Sequence, residues 1–355
     1  MRYPQSVGVE SIGEFSERID VRSPGEFTED HLPGASNHPV LDDQQRAIVG
    51  TLDAQQSPFA ARRVGAAMTA HNIASMIERE FHDRPADWRP LVYCWRGGQR
   101  SRSLALVLHE VGWRPALLEG GYKAFRRAVR NQLEYLPSQF EWIVICGPTG
   151  SGKTRLLGAL GKAGAQVLDL EAIACHRGSV LGDIIARPQP TQRHFETDLW
   201  QALSRFDPQR PIYVEAESRK IGMLQIPPAL VAAMRGAQCV RIEAPLSARV
   251  QHLLIEYQHF VSDPQALAER LDRLRELHSR ERVERWKAQA AGGDSGGFVA
   301  EVLAQHYDPA YQRSLERTFP QAGVARALHL DRLEEAEFAQ AAGRLLARSP
   351  ATSAA

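Results

Sequence analysis

The stretch Gly147-Pro148-Thr149-Gly150-Ser151-Gly152-Lys153-Thr154 follows directly on the apolar run Trp142–Cys146 and precedes the helix-like segment Arg155-Leu156-Leu157-Gly158-Ala159-Leu160. Strand, glycine-rich loop and helix in that order match GxxxxGK[ST], a phosphate-binding loop in its expected context. Gly147, Gly150 and Gly152 allow close backbone approach, and the N–H groups through Ser151 turn toward a di- or triphosphate. Lys153 neutralises phosphate charge, and the Thr154 hydroxyl is placed to hold Mg²⁺. The loop identifies a diphosphate cradle without saying what is esterified to it, so ATP is not implied.

Working outward, the strand-then-helix rhythm recurs, with strands expected at Gln166–Asp169, Pro211–Glu215 and Gln238–Glu243. The strand before Glu215 stands where an Mg²⁺-binding acid is expected in such a domain. It ends in Glu215-Ala216-Glu217-Ser218-Arg219 rather than the usual Asp, so Glu215, Glu217 and Arg219 are the candidates for contacting substrate or Mg²⁺. From Ala248 to about Trp286 the pattern turns long, charged and helical, and Ala291–Gly297 is a glycine-rich break before another helix. This predicts a helical subdomain over about 248–320. Upstream, the proline-containing stretch at 136–139 marks a domain junction, giving domains at 1–135 and 136–350.

The first domain also reads as α/β with parallel strands, from apolar runs at Ser16–Val21 and Leu91–Cys94 and helical segments near Ala60–Phe81 and Ser101–Val111. Its chemistry centres on Cys94-Trp95-Arg96-Gly97-Gly98-Gln99-Arg100-Ser101, a tight loop between strand and helix. Such a loop wraps N–H groups around the sulfur at a helix N-terminus, and with Arg96 and Arg100 beside it favours thiolate and binds anions. Cys146, Cys175 and Cys239 read as buried small hydrophobes. The four cysteines form no CxxC pair, so neither a disulfide framework nor a zinc site is expected.

The chain of 355 residues has 43% hydrophobic and 24% charged residues and a formal charge of +1, room for two ordinary domains. The start lacks a signal peptide's pattern and no stretch is apolar enough to span a bilayer, so a cytoplasmic protein is expected. The tail after Arg348 has a disordered composition. Near-neutral charge leaves a polyanionic partner to local patches. Lys123, Arg126, Arg127 and Arg130 lie in a nine-residue stretch without an acid, a candidate face for RNA phosphates. Arg270–Lys287 interleaves bases with acids at helical spacing and reads as a solvated, ion-paired helix. Of the aromatics, Tyr122, Phe125 and Trp113 read as core; Trp95 alone is a candidate for stacking a base.

Asp20-Val21-Arg22 with Glu26, then His31-Leu32-Pro33-Gly34-Ala35, then the Cys94 loop resemble the successive landmarks of a rhodanese domain. Asp20, Arg22 and Glu26 read as an ion pair and cap rather than catalytic groups. The seven residues Cys94 to Arg100 resemble the longer loops of rhodanese-fold phosphatases and would admit a phosphorus-sized anion. With this loop and the phosphate loop in one chain, Asp169–Glu171, His176–Ser179, Gln189–Gln192, Glu215–Gly222 and His306–Pro309 resemble stretches of the bacterial tRNA 2-selenouridine synthases.

The resemblance implies an N-terminal rhodanese-like parallel-sheet domain and a C-terminal P-loop α/β domain with a helical subdomain. It implies replacement of sulfur by selenium in wobble 2-thiouridine of tRNA, with selenophosphate and geranyl diphosphate as co-substrates and an S-geranyl intermediate. The P-loop would hold the prenyl diphosphate, with Mg²⁺ an option; Cys94 would carry selenium or assist its delivery, with Arg96 to Ser101 binding selenophosphate. A selenophosphate-supplying protein is a further candidate partner. Two other readings stand beside it: a nucleotide-dependent kinase or ATPase with a regulatory rhodanese or phosphatase-like domain, which ATP turnover without tRNA would reveal, and a non-catalytic tRNA-binding protein, which leaves both anion loops unexplained.

Overall fold

The computed structural model describes residues 4–178, 187–256 and 264–347. Ser179 and the tail from Arg348, both singled out above, lie outside the described residues. The chain divides into two compact units, one of residues 1–132 with 190–201 and the other of 133–189 with 202–355. Both are α/β, as the loop–strand–helix reading requires.

In the first unit, β1 (Gln5–Val7), β2 (Arg18–Asp20), β3 (Ala35–Asn37), β4 (Leu91–Tyr93) and, after the intervening helices, β5 (Ala116–Leu118) form one parallel sheet in the order β1-β5-β4-β2-β3. Its helices are α1 (Pro24–Glu29), α2 (Asp43–Gln55), α3 (Pro58–Met76), α4 (Gln99–Val111) and α5 (Gly121–Tyr135). Parallel strands need covered faces, and β4 is accordingly buried at every residue, without alternation. Ile19, Val92, Leu104, Leu108, Phe81 and Trp88 form the core. The helix Gln192–Leu203, though encoded in the second half of the chain, contributes residues through Gln201 to this unit.

The second unit opens with β6 (Trp142–Cys146) and α6 (Lys153–Lys162), followed by β7 (Gln166–Leu168), α7 (Leu170–Ala174), the helix α8 at Gln192–Leu203 already noted, and β8 (Ile212–Glu215). A short antiparallel ladder, β9 (Lys220–Ile221) with β10 (Leu224–Gln225), leads to α9 (Pro228–Arg235), β11 (Gln238–Glu243) and α10 (Leu246–Glu256). Helices α11 (Pro264–Leu271), α12 (Arg280–Ala291), α13 (Ser295–Val302) and α14 (Asp308–Thr318) precede β12 (Arg326–His329) and α15 (Glu335–Leu346). The main sheet is parallel in the order β12-β11-β6-β8-β7. Over about 248–320 the described residues form successive helices, and those of 264–302 share a core of Leu271, Leu274, Val283, Trp286, Phe298 and Val302.

In each sheet the strand carrying the motif, β4 or β6, is flanked on both sides, and its loop leaves the carboxyl end where strand order reverses. That crevice is where open parallel sheets place ligands.

Candidate functional site

Cys94 is the first residue after β4 and only 3% exposed. Its Sγ accepts the Gly98 N–H and the Ser101 hydroxyl, each at 3.2 Å. Ser101 sits in the first turn of α4, so these donors converge on sulfur from the helix N-terminus. The loop is fastened from the far side: the Tyr122 N–H donates to the Cys94 carbonyl at 2.9 Å and Lys123 N–H to Trp95 at 3.0 Å. Gly121 makes this approach possible. Its φ is +57°, and an added Cβ would stand 2.2 Å from the Cys94 carbonyl oxygen.

The two loop arginines part company. Arg96 and Gln99 are exposed, whereas Arg100 is bound to Glu26 at 2.6 Å, and Glu26 also closes the capping box of α1 with Ser23. Arg100 therefore brings a charge that Glu26 already balances. Asp20 and Arg22 form a fully buried pair at 2.6 Å, with the Arg22 guanidinium 3.9 Å over the Tyr122 ring. Tyr122, Phe125 and Trp113 are core, while Trp95 is half-buried beside Tyr122.

Along α5, Lys123, Arg127 and Arg130 share an exposed face, but Arg126 does not. Its side chain is buried, binds Glu196, and donates to Thr197 at 3.1 Å. Asp30, without exposure, accepts Tyr122 O–H at 2.8 Å and Thr197 O–H at 3.1 Å. Arg126 thus serves packing, and the candidate RNA face loses it. Of the bases of 270–287, Arg275, Arg285 and Lys287 are ion-paired, Arg275 with Asp272 at 2.8 Å. Cys146 and Cys239 are buried, but Cys175 is half-exposed at the end of α7 with φ of +49°.

The phosphate loop joins the central strand β6 to α6. Lys153 Nζ donates to the Gly147 carbonyl at 2.9 Å, and Gly147 N–H to the Tyr311 hydroxyl at 2.7 Å. Gly152, φ +80°, lies against Phe338, whose ring a Cβ would meet at 2.3 Å. Arg249, 5% exposed, donates to the Thr149 carbonyl at 2.7 Å and pairs with Asp308 at 2.6 Å. The loop's outer turn is thereby tied to α14.

Thr154 Oγ1 lies 3.3 Å from a Glu171 oxygen and 3.4 Å from a Glu215 oxygen. Glu171, Glu215 and Glu217 each place an oxygen within 4.8 Å of the others. Glu215 is fully buried and its Oε1 has no hydrogen-bond partner among the described residues. Burial, then repulsion from Glu171 and, for Glu215, from Glu217, raises the Glu215 and Glu217 carboxyls well above the usual range, against the pull of Lys153. Glu171 was missed as a site residue because it reaches the cluster only through the fold. Arg219 is exposed and outside this group.

A cavity of about 440 Å³ opens over these groups. Its lining combines Gly150, Gly152, Lys153, Thr154 and the three glutamates with the polar groups Arg155, Arg177, His252 and Glu256 and with the apolar side chains of Leu253, Leu277, Tyr307, Ala310, Leu315 and Phe319. His306 and Tyr307 of the His306–Pro309 segment thus face the cavity while Asp308 anchors Arg249.

The family model described as the tRNA 2-selenouridine synthase AAA domain matches residues 140–327, and that of the rhodanese-like domain matches residues 12–128. A tRNA 2-selenouridine synthase of Shewanella piezotolerans is 31% identical over 84% of this chain and 88% of its own. The chain belongs to the tRNA 2-selenouridine synthase family. Members from Nitrosomonas europaea and Bdellovibrio bacteriovorus are 37% and 38% identical, each over 67% of this chain. Those matches span 63% and 64% of the two relatives, less than two thirds of their length. Among the described residues no helix is long and apolar enough to cross a membrane.

Proposed function

We propose that the protein is a cytoplasmic tRNA-modifying transferase that replaces sulfur by selenium in wobble 2-thiouridine, through S-geranylation. The observation that carries this reading is the cavity that joins a phosphate loop to an apolar wall, which suits a diphosphate bearing a hydrocarbon chain.

In the first step the sulfur of 2-thiouridine attacks C1 of geranyl diphosphate; the C–O bond breaks, pyrophosphate leaves with the electron pair, and the base loses its N3 proton. Lys153 and the loop N–H groups stabilise the charge that develops on pyrophosphate. Mg²⁺ fits the orphaned Glu215 oxygen and its neighbours: Glu171, Glu215, Glu217 and Thr154 would hold it, and it would supply further charge stabilisation.

In the second step the selenium of selenophosphate adds at C2, geranylthiolate departs with the C–S electron pair and takes up a proton, and water cleaves the P–Se bond, releasing inorganic phosphate and leaving selenium on C2. The Cys94 loop holds selenophosphate through its N–H groups, with Arg96 as the available cation, and Cys94 assists delivery of the selenium to C2. Lys123, Arg127 and Arg130 contact tRNA phosphates. Mass spectrometry of nucleosides from thio-tRNA incubated with protein, geranyl diphosphate and selenophosphate tests the reading. It expects geranylthio- and then selenouridine; unchanged thiouridine would refute it.

A further inference from the structure

His306, 7% exposed, lines the cavity, and its Nδ1 is 2.8 Å from His278 Nε2. His278 Nδ1 in turn lies 3.3 Å from Arg282 Nη1. Arginine can only donate, so His278 Nδ1 is the acceptor. A neutral His278 then carries its proton on Nε2 and donates it to His306 Nδ1. A neutral His306 must therefore carry its own proton on Nε2.

The two rings are held in place by aromatic edges: His278 against Trp286 at 5.0 Å and His306 against Tyr307 at 4.7 Å between centroids. Burial, followed by the nearby His278, lowers His306 to about 4, so the ring is neutral at physiological pH. Among the described residues its Nε2 has no hydrogen-bond partner. The chain Arg282–His278–His306 thus ends in one neutral N–H donor available to the cavity.

What accepts this donor is constrained by where it stands. The titratable groups that bear on His306 are His278 and Arg313, whereas Lys153 and the glutamates act on one another. A prenyl diphosphate has hydrogen-bond acceptors only on its phosphates, and its chain has none. A neutral donor on an apolar and aromatic wall is suited to a neutral acceptor.

We propose that His306 recognises the acceptor nucleoside, donating its Nε2–H to a carbonyl oxygen of the pyrimidine that enters the cavity beside the prenyl chain. This rests on the proposed S-geranylation. His306 is then a specificity-determining residue, and Arg282 and His278 position its proton.

The test compares wild type, His306→Leu and His306→Gln, measuring the KM for thio-tRNA in geranylation and, separately, the Kd for geranyl diphosphate. Loss of one such hydrogen bond should raise the tRNA KM about tenfold in His306→Leu. Geranyl diphosphate affinity should not change, and His306→Gln, which keeps an N–H donor, should recover most of the loss. A matching fall in geranyl diphosphate affinity would assign the donor to the diphosphate and overturn the proposal. So would an unchanged tRNA KM in His306→Leu, or a Gln variant no better than Leu. A wild-type protein that makes no geranylthio nucleoside would overturn the proposed function instead, and this inference with it.

Discussion

The Ser101 hydroxyl donates to the sulfur of Cys94 across 3.2 Å. Together with the Gly98 N–H it forms a polar cradle around a side chain that is itself almost inaccessible. Cys94→Ala should leave the fold and geranylation intact while abolishing selenation. Ser101→Ala, which removes one of two donors but no nucleophile, should slow selenation about tenfold. Single-turnover assays on pre-geranylated tRNA check both; wild-type selenation by Cys94→Ala would exclude the sulfur from the reaction.

Arg126 and Arg127 are neighbours in sequence with opposite surroundings, the first buried against Glu196 and Thr197, the second exposed. Arg126→Ala should cost about 3–5 kcal/mol of stability by stranding a buried acid, read as a lowered denaturant midpoint. Arg127→Glu with Arg130→Glu should spare stability, weaken tRNA binding and flatten its salt dependence. An unchanged salt slope would remove tRNA from this face.

His194 Nδ1 stands 3.5 Å from Asp30 Oδ1. The Asp30 carboxylate beside it raises His194 above its ordinary value, against the opposing effect of burial, with Asp198 adding to the rise. Burial opposes ionisation of Asp30, but His194, Tyr122 and Arg126 outweigh it and hold the carboxyl below its usual range. The pair is therefore charged on both sides in mildly acidic solution. A raised histidine contributes stability that is fully present below its unfolded value, about 6.5, and is lost as pH rises through the folded one. The Tm advantage of wild type over His194→Gln should be largest near pH 6 and shrink by pH 8. A difference that grows with pH would contradict the assignment.

Both glycine-rich loops were legible because each is a contiguous motif between a strand and a helix, and Gln238–Glu243 was read with its boundaries. Three-residue strands such as Gln5–Val7 and Ala35–Asn37 were not, since so short a run shows no period. Neither was the burial of Arg126, which depends on Glu196 seventy residues away in sequence. Glu171, in the helix that follows β7, meets Glu215 at the end of the adjacent strand β8, and His278 joins His306 between helical elements. Each of those pairings is a product of topology, invisible to local spacing.

The central claim is that the phosphate loop serves prenyl transfer alone. Among the described residues Lys153 reaches loop and cavity groups, donating to the Gly147 carbonyl at 2.9 Å, so Lys153→Ala should leave the fold and tRNA binding unchanged. The decisive measurement is nucleoside mass spectrometry on this variant with two substrates. Thio-tRNA with geranyl diphosphate should give no geranylthio product, because the departing pyrophosphate has lost its charge partner. Pre-geranylated tRNA with selenophosphate should still give selenouridine, since that step releases no diphosphate. Equal loss of both conversions in a folded, tRNA-binding variant would contradict the account.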